Sequence, residues 1–385
     1  MGDKSDVNVK LQDPDDDIKP RLSTHQVPEL VRRLYGLETS EVKSLPSYDD
    51  LNFYVRVNLK VNDNPNINSI YEHGYVVKVL NSLQSASPEI IDAQHALCQH
   101  VHDRGISTQR PVLNVQGHQY SLETFACPEN GHKLGPYLVR LVTFVPGTIF
   151  YETPYVAGSF YNAGVFVARL HNAILDGFHH PFYDGYNTLW SLTETPRIRE
   201  FCKAVADTRD RDVVLKVLDE FQKDIVDHYP DFTPGIVHGD INEQNLIMRE
   251  VPGQDSVPPE QRIHDVAALL DFSDITKSYI VFDVAISICY LSIECGGGEQ
   301  LNVGGHFLSG YTKHRTLNEV EWRCLPLLVC ARLCQSLVYG AHAYSLQPEN
   351  KYLLTTSYRG WPLLHKYWSE NKEELVNRWK RLCEQ

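Results

Sequence analysis

The spacing of apolar and polar residues divides the chain into two parts of different texture. Up to about residue 145, apolar and polar residues alternate in short runs rich in β-branched and aromatic side chains, which is typical of strands. Helices are predicted over residues 26–35 and from Pro88 to about residue 104, before the stop at Gly105. The predicted strands cover residues 52–61, 75–80, 112–115, 120–125 and 137–145.

Beyond Gly147, apolar residues recur mainly at the 3.6-residue spacing of helices. The apolar stretch 279–293 is too short to cross a bilayer and contains Asp283, so we expect a buried element there. One β pair, formed by residues 246–248 and 267–272, interrupts the helical part. The predicted helices cover residues 157–176, 197–206, 211–228, 319–343 and 366–383.

This order of elements predicts an α+β fold of the protein-kinase-like, two-lobed type. A small N-terminal β-sheet lobe with one helix would span residues 21–145, and a larger, mostly helical C-terminal lobe would span residues 146–385. Residues 1–20 are acidic and polar where a signal peptide needs a basic start and an apolar core. We therefore interpret residues 1–20 as a disordered tail.

The net charge and the spacing of the cysteines exclude several classes of protein. The 385 residues carry a formal net charge of −13, which disfavours binding to nucleic acid or to anionic membranes and suits a small cationic substrate. The nine cysteines are scattered and include no C-x-x-C pair, so neither a disulfide framework nor a structural zinc site is expected. A reducing compartment, the cytoplasm, is the expected location.

The first chemical motif is His238-Gly239-Asp240 with Asn245 five positions after the acid. The same spacing separates acid and amide in the kinase catalytic loop. Transfer of a phosphoryl group needs a carboxylate that orients the acceptor hydroxyl and takes its proton, and Asp240 is the candidate for this catalytic base. Asn245 offers a neutral oxygen of the kind that Mg²⁺ accepts, and His238 would brace the loop.

The second motif is Leu270-Asp271-Phe272, where an acid follows an apolar strand as in the kinase D-F-G signature. Asp271 is the candidate for the main metal ligand, because a carboxylate there would hold Mg²⁺ between the β- and γ-phosphates of a nucleotide. Ser273 replaces the protein-kinase glycine, and no A-P-E sequence follows. We therefore expect no activation switch of the protein-kinase kind.

The third motif is Val76-Val77-Lys78-Val79, which is similar to the kinase strand whose lysine holds the α- and β-phosphates. Such a lysine pairs with an acid on the next helix. Asp92 is the first candidate for this partner and Glu89 the second.

Each motif alone has a simpler interpretation as a turn, a strand end or an edge residue. The order of lysine, helix acid, HGD with Asn and then DF favours a kinase. Motifs for P-loop, dinucleotide-binding, zinc-protease and α/β-hydrolase sites are missing from the sequence. The glycines at 296–298 and the histidines at 171, 179 and 180 are interpreted as loop, surface or core residues.

With these motifs the chain resembles the aminoglycoside phosphotransferase-like kinases, which use HGD where protein kinases use HRD. The resemblance covers nearly the whole chain after residue 20. It is carried by the HGD loop, by Leu270-Asp271-Phe272, and by the longer stretches Leu45-Pro46-Ser47-Tyr48-Asp49-Asp50, Tyr137-Leu138-Val139-Arg140-Leu141, Phe178-His179-His180-Pro181 and Leu328-Val329-Cys330-Ala331-Arg332.

The resemblance implies transfer of phosphate from GTP, with Mg²⁺, to the hydroxyl of 5-hydroxy-L-lysine in the cytoplasm. It implies the family roles for Lys78, Asp240, Asn245 and Asp271. In the loop that covers the nucleotide only Asn52 fits the family pattern, and purine contacts are expected from the backbone between Thr143 and Val145.

A diamino acid needs carboxylates near its ammonium groups and a cation near its carboxylate. Asp274, Glu243 and Glu294 are the candidates for the first role and Arg332 for the second, while a structural ion pair remains the alternative for each. The residues alone leave open GTP or ATP as the donor, and another amino alcohol, such as choline or an aminoglycoside, as the acceptor. A nucleotide-binding pseudokinase is the non-enzymatic alternative.

Overall fold

The computed structural model describes residues 12–16, 18–126, 132–296, 298–346, 348 and 356–385. These residues form a small N-terminal lobe around one antiparallel sheet and a larger lobe made mainly of helices. The α+β, two-lobed prediction is confirmed.

One sheet of six strands forms the small lobe. The strands are β1 (Leu37–Leu45), β2 (Leu51–Asn62), β3 (Tyr75–Val79), β4 (Pro111–Val112), β5 (Ser121–Ala126) and β6 (Lys133–Thr143). The main path of the sheet runs β1-β2-β3-β6-β4, and β5 also pairs with β6. Because β6 pairs with three neighbours, its residues 137–142 are buried and form the centre of the small-lobe core.

Strand β1 was not expected from the sequence. It lies at the edge of the sheet, pairs only with β2, and leaves most of its side chains partly or fully exposed. Its polar sequence therefore carries too few apolar residues to produce a strand signal.

Three α-helices belong to the described residues of the small lobe: α1 (Val27–Tyr35), α2 (Ser82–Ser85) and α3 (Glu89–His102). Helix α1 has Pro28 in its first turn and ends at Gly36, which takes the left-handed conformation common after a helix. Helix α3 buries its apolar face against the large lobe, and its two first-turn acids, Glu89 and Asp92, lie on the exposed face.

The described part of the large lobe consists of seven α-helices, several 3-10 helices and two small β structures. Strand β10 pairs with β9 and β9 with β7, while β8 pairs with β11. The strands are β7 (Thr148–Ile149), β8 (Pro234–Val237), β9 (Leu246–Glu250), β10 (His264–Leu269) and β11 (Thr276–Tyr279). The helices are α4 (Ala157–Leu175), α5 (Thr208–Asp224), α6 (Ile280–Glu294), α7 (Gln300–Tyr311), α8 (Glu319–Leu346), α9 (Ser357–Ser369) and α10 (Lys372–Cys383).

Two helix predictions in this lobe need correction. The helix expected over 197–206 is a 3-10 helix, Leu192–Ala204, which contains Pro196. The single helix expected over 366–383 is divided into α9 and α10 at Asn371, whose side chain accepts the Glu374 backbone N–H and starts α10.

Helix α7 was not predicted, because three glycines weaken its helical pattern. In the structure two of them permit close packing: a Cβ on Gly310 would overlap the Tyr161 carbonyl of α4, and a Cβ on Gly304 would overlap the Trp379 ring of α10. These glycines therefore let α4 and α10 pack close to α7.

Helix α8 forms the centre of the large lobe. It is long and apolar enough to cross a membrane, but 89% of its most apolar window is buried inside the protein. Burial among other helices accounts for its composition.

The described residues of the segment 12–20 pack against both lobes. Gln12 Nε2 donates to Asp49 at 2.9 Å, and Arg197 Nη1 donates to the Gln12 carbonyl at 3.1 Å. Asp15 pairs with His342 of α8 at 2.7 Å. The predicted disordered tail is therefore wrong for residues 12–16 and 18–20, because polar contacts with folded elements order a segment that has few apolar residues; residues 1–11 and 17 lie outside the described part.

The lobes also meet behind the cleft. Leu269 N–H, at the end of β10, donates to the Ser107 carbonyl at 3.0 Å, next to a parallel bridge between Thr108 and Leu269. This contact fixes the residues that follow β10 beneath the small-lobe sheet.

Candidate active site

The HGD loop follows β8 and is shaped by its glycine. Gly239 has a φ of 82°, and a Cβ on it would overlap the carbonyl oxygen of Asp274. An arginine at this position, as in the HRD sequence of protein kinases, would therefore have a strained backbone, and its Cβ would overlap Asp274. Glycine is required because two backbone segments of the site cross here.

A buried carboxylate holds the start of the loop. Asp283 of α6, with no exposed surface, accepts the backbone N–H of His238 at 2.7 Å and of Gly239 at 2.8 Å. Burial raises the pKa of Asp283, but the hydrogen bond of His171 and the Gly239 N–H outweigh it and hold the pKa below its usual value.

Tyr311 completes this buried group, since its hydroxyl lies 2.9 Å from His171 Nδ1. Sequence reasoning missed the role of Asp283 and His171. The one available signal was a single acid inside the apolar stretch 279–293.

His238 braces the loop as expected. Its Nδ1 accepts the Asp240 N–H at 3.3 Å and its Nε2 lies 3.0 Å from the Leu270 carbonyl, which assigns the proton to Nε2. The ring also meets Phe272 edge-on at 4.9 Å between centroids. His238 thus joins the HGD loop to the segment that carries Asp271.

Asp240 is held on both carboxylate oxygens. Asn242 and Asn245 donate to Oδ2 at 2.9 and 3.0 Å, and Arg332 Nη2 donates to Oδ1 at 3.2 Å. Burial raises the pKa of Asp240, while the positive charge of Arg332 opposes that rise. The side chain keeps 25% of its surface exposed, so a substrate hydroxyl can reach it.

Asp271 and Lys78 bring the two lobes together. Lys78 Nζ donates to Asp271 Oδ1 at 2.7 Å, and Ser273 Oγ donates to the same oxygen at 2.6 Å. Asp271 has a φ of 56°, the one positive φ of a non-glycine residue in the described chain, and this backbone aims its side chain at the cleft. Burial raises its pKa, but the charge and hydrogen bond of Lys78 dominate and hold the pKa well below the usual range.

The expected pairing of Lys78 with Asp92, or with Glu89, is wrong. Both acids lie on the exposed face of α3, whereas positions 94 and 95 of that helix face inward. Arg140 of β6, directly opposite Lys78 in the sheet, lies within 3.4 Å of His95. A cation and a histidine thus occupy the space behind Lys78 where a helix acid was expected.

The residues of the site fit a magnesium ion. Asn245 turns its Nδ2 toward Asp240, which leaves its amide oxygen for a ligand, and Asp271 carries a second carboxylate oxygen beyond the one that Lys78 and Ser273 use. Hard oxygens from one amide and one carboxylate are typical of Mg²⁺ sites completed by phosphate and water. No group of three or more His, Cys, Asp or Glu side chains forms a metal site by itself within the described ranges.

The nucleotide residues named from the sequence lie above this site. Asn52 of β2 is opposite Lys78, and its buried Oδ1 accepts no hydrogen bond from the described residues. Thr143 is less suitable than expected, because its N–H donates to the Arg110 carbonyl at 2.9 Å and its Oγ1 accepts the Arg110 N–H. Val145, between β6 and β7, remains the candidate for purine contact.

Arg332 does not have the expected role. Its side chain is 2% exposed, and Nη1 donates to the Trp190 carbonyl at 2.7 Å and to Gln335 Oε1 at 3.0 Å. Its guanidinium also lies over the rings of Trp190 and Tyr290, each at 5.3 Å. Because these contacts and Asp240 engage the guanidinium, it is not available to a substrate carboxylate.

The three candidate carboxylates differ in their surroundings. Glu294 Oε2, at the end of α6, accepts from Arg359 at 2.6 Å. Burial, with the nearby charges of Glu294 and Asp240, raises the pKa of Glu243 to about 7, and Glu243 Oε2 is buried without a hydrogen-bond partner among the described residues. Burial and the charges of Asp240 and Asp271 raise the pKa of Asp274 well above its usual value.

The turn between β1 and β2, part of the segment expected to cover the nucleotide, also contacts the large lobe. Lys19 Nζ donates to the carbonyls of Ser47 and Tyr48 at 3.2 and 2.9 Å. The Tyr48 ring then meets Trp190 of the large lobe edge-on at 5.6 Å. This turn therefore bridges the two lobes at one side of the cleft.

Asp50 of the same turn accepts the backbone N–H of Asn81 at 2.8 Å. Burial raises the pKa of Asp50 to about 6, although the Asn81 N–H and the Lys78 charge oppose the rise.

A base on a glycine loop, an amide and a carboxylate that fit a metal, and a lysine in the facing sheet define a phosphotransferase site. Residues 55–317 match the phosphotransferase enzyme family, and the chain belongs to this family. It is a kinase that transfers a phosphoryl group to a hydroxyl.

Within the family the chain is similar over its length to hydroxylysine kinases. The protein from Danio rerio is 33% identical over 372 residues, which cover 95% of this chain and 97% of the relative. The protein from Bos taurus is 33% identical over 367 residues, which cover 94% and 93%.

Two solved structures share the fold. A microcompartment-associated aminopropanol kinase superposes with a TM-score of 0.64 at 17% identity, covering 90% of this chain and 98% of that one. An amicoumacin kinase, solved with AMP-PNP, Ca²⁺ and Ami, has a TM-score of 0.62 at 17% identity, covering 93% and 94%.

Proposed function

We propose that the protein transfers the γ-phosphate of GTP to the hydroxyl of 5-hydroxy-L-lysine, giving 5-phosphooxy-L-lysine and GDP. The observation that carries the proposal is the similarity to hydroxylysine kinases over almost the full length of both chains. The convergence of Lys78, Asp240, Asn245 and Asp271 on one cleft supports it.

Asp240 orients and deprotonates the acceptor. Its carboxylate, fixed by Asn242, Asn245 and Arg332, accepts a hydrogen bond from the substrate hydroxyl and takes its proton as that oxygen attacks the γ-phosphorus. The new oxygen–phosphorus bond forms as the bond to the β-phosphate oxygen breaks, and GDP leaves with that electron pair.

Lys78, Asn245 and Asp271 hold the nucleotide end. Lys78 now pairs with Asp271, and in the nucleotide complex its ammonium group would bind the α- and β-phosphates instead. Asp271 and the Asn245 amide oxygen would ligate Mg²⁺. When bound, Mg²⁺ neutralises the negative charge that develops on the phosphates.

We also propose the cellular compartment in which the protein acts and the nucleotide that donates the phosphate. The eight cysteines of the described chain are free and seven are buried, which supports action in a reducing compartment, the cytoplasm. GTP is the donor implied by the resemblance, and Val145 would contact its purine.

A donor and acceptor panel tests the proposal. Purified protein is incubated with Mg·GTP or Mg·ATP and with 5-hydroxy-L-lysine, choline, 1-amino-2-propanol or an aminoglycoside, and nucleoside diphosphate release is measured. We expect the highest kcat/KM for the pair of GTP and 5-hydroxy-L-lysine. No GDP release with that pair would contradict the proposed substrate, and a higher kcat/KM with ATP would contradict the donor.

A further inference from the structure

A small cavity lies between the two lobes and is lined in part by Asp274, which packs against Gly239 of the catalytic loop. Its volume is about 30 Å³, which accommodates one or two water-sized groups. Its polar lining comes from both lobes and from the N-terminal segment: Gln12, then Asn81, Gln84 and Ser87 of the small lobe, and Tyr186, Asn187, Thr188 and Asp274 of the large lobe.

The lining offers hydrogen-bond acceptors that lack donors. Gln84 interacts with the Tyr186 hydroxyl, and its Oε1 is buried without a partner among the described residues. Thr188 is 9% exposed, and its Oγ1 is also buried and without a partner there. Such atoms lose their hydration on burial, so a ligand with several N–H groups would recover the lost hydrogen bonds.

The charge around the cavity points to the same kind of ligand. Asp274 lies within electrostatic range of three further carboxylates, those of Asp240, Asp271 and Asp49. The nearby cations are already engaged: Arg332 by Asp240 and the Trp190 carbonyl, Lys78 by Asp271, and Lys19 by the carbonyls of Ser47 and Tyr48. A positively charged group in the cavity would offset the repulsion that remains.

The position next to Asp240 restricts where the cation can sit in the substrate. Asp240 would receive the reacting hydroxyl, and Asp274 packs against Gly239, the residue that precedes Asp240 in the loop. In a 1,2-amino alcohol three bonds separate nitrogen from oxygen, so the two atoms lie about 3–4 Å apart. Adjacent carboxylates can therefore hold the hydroxyl and the ammonium of such a molecule together.

We propose that the cavity beside Asp274 binds the ammonium group on the carbon next to the reacting hydroxyl, so that the enzyme selects vicinal amino alcohols. The Asp274 carboxylate and the Gln84 side-chain oxygen Oε1 accept hydrogen bonds from the ammonium. This proposal rests on the proposed function, since 5-hydroxy-L-lysine carries its side-chain amine on the carbon next to the hydroxyl.

The test compares 5-hydroxy-L-lysine with 5-hydroxynorleucine, which lacks only the side-chain amine. In the full-length wild-type enzyme we expect kcat/KM to favour the amine-bearing substrate by at least ~100-fold, because a site built for N–H donors rejects the analogue without them. In Asp274→Asn we expect this ratio to fall below ~10. A general loss of turnover lowers both rates alike and leaves the ratio unchanged, so the ratio reports ammonium recognition.

Further variants complete the test. Gln84→Leu keeps every carboxylate and should lower the ratio several-fold even if Asp274→Asn does not fold, and Asp219→Asn, an exposed carboxylate of α5, is the matched control that should leave the ratio unchanged. A ratio retained in both cavity variants, or lost instead in Glu243→Gln or Glu294→Gln, would overturn the proposal. An inactive wild-type enzyme with 5-hydroxy-L-lysine would instead refute the proposed function.

Discussion

Arg332 Nη2 lies 3.2 Å from Asp240 Oδ1, although 92 positions separate the two residues in the chain. The guanidinium is buried in the large lobe, between the rings of Trp190 and Tyr290, and the carboxylate faces the cleft. Asp240, the proposed general base, is therefore oriented by a buried cation that the solvent does not screen.

Replacement of Arg332 should lower turnover without weakening nucleotide binding. We expect Arg332→Met to reduce kcat by about 10-fold or more with the KM for nucleotide nearly unchanged, because Asp240 loses a positioning contact. Arg332→Lys should recover part of kcat. Arg323→Met, an exposed change on the same helix, is the control, and steady-state kinetics of the three variants would reject the idea if kcat stayed at the wild-type level.

Asp240→Asn should leave a folded protein that binds nucleotide but turns over slowly. The amide cannot take the hydroxyl proton, so we expect kcat to fall by at least ~100-fold. Nucleotide affinity, measured by calorimetry with a non-hydrolysable analogue, should change little. Unchanged turnover would exclude Asp240 as the base.

Asp271→Ala should weaken the Mg²⁺ dependence of nucleotide binding. The variant removes the carboxylate that would ligate the ion, and we expect at least ~10-fold weaker Mg²⁺ binding in the nucleotide complex. Asp265→Ala, an exposed acid of β10, provides the control. A Mg²⁺ titration identical to that of the wild type would contradict the assignment of Asp271.

Gly239→Ala and Gly253→Ala form a matched pair. Both glycines have a φ near 80°, but a Cβ on Gly239 would overlap the Asp274 carbonyl, while a Cβ on Gly253 would have nothing within 4 Å. Gly253→Ala should cost about 1–2 kcal/mol of unfolding free energy and leave kcat unchanged. Gly239→Ala should lose more stability and most of its activity, measured by thermal unfolding and turnover; equal effects of the two changes would show that the loop tolerates a side chain.

The stability of the small lobe should fall between about pH 6.5 and pH 4. Burial, with the neighbouring charge of Arg140, lowers the pKa of His95 to about 4, whereas the unfolded chain takes up this proton near pH 6.5. The unfolded state therefore binds more protons in this window, and the stability contribution of neutral His95 is present above pH 6.5 and lost as the pH falls, by up to roughly 3 kcal/mol.

Chemical unfolding of the wild type and His95→Gln at pH 7.5 and pH 5 measures this effect. The variant should lose less stability on acidification than the wild type. His102→Gln, an exposed histidine of the same helix, should retain the wild-type pH dependence. An equal loss of stability in wild type and His95→Gln would exclude His95 as the source.

Local patterns predicted much of the fold and the core of the site. The β2, β3 and α3 segments and the β9–β10 pair have apolar spacing that matches their burial. The HGD loop with Asn245 and the Leu270-Asp271-Phe272 motif are recognised from a few consecutive residues. These features depend on interactions close in the sequence, so the sequence reveals them. Edge strand β1 and glycine-containing α7 depend on neighbours that no local pattern shows.

The partners of the site residues were predicted less well. Asp92 follows Lys78 on the expected helix, but the docking of α3 places that acid outside. Arg332 and Asp283 approach the HGD loop only after α6 and α8 have packed into the core. In each case the sequence shows that the side chain is charged, whereas the group that this side chain faces depends on how the helices pack.

The segment at residues 12–20 also sets a condition for traffic through the cleft. Gln12 contacts Asp49 of one lobe and Arg197 of the other, and Lys19 holds the turn whose Tyr48 meets Trp190. Any parting of the lobes at this side must therefore break a series of polar contacts in the same movement. A wider opening of the cleft at this side would thereby require a short stretch of chain, which carries none of the candidate catalytic residues, to undock.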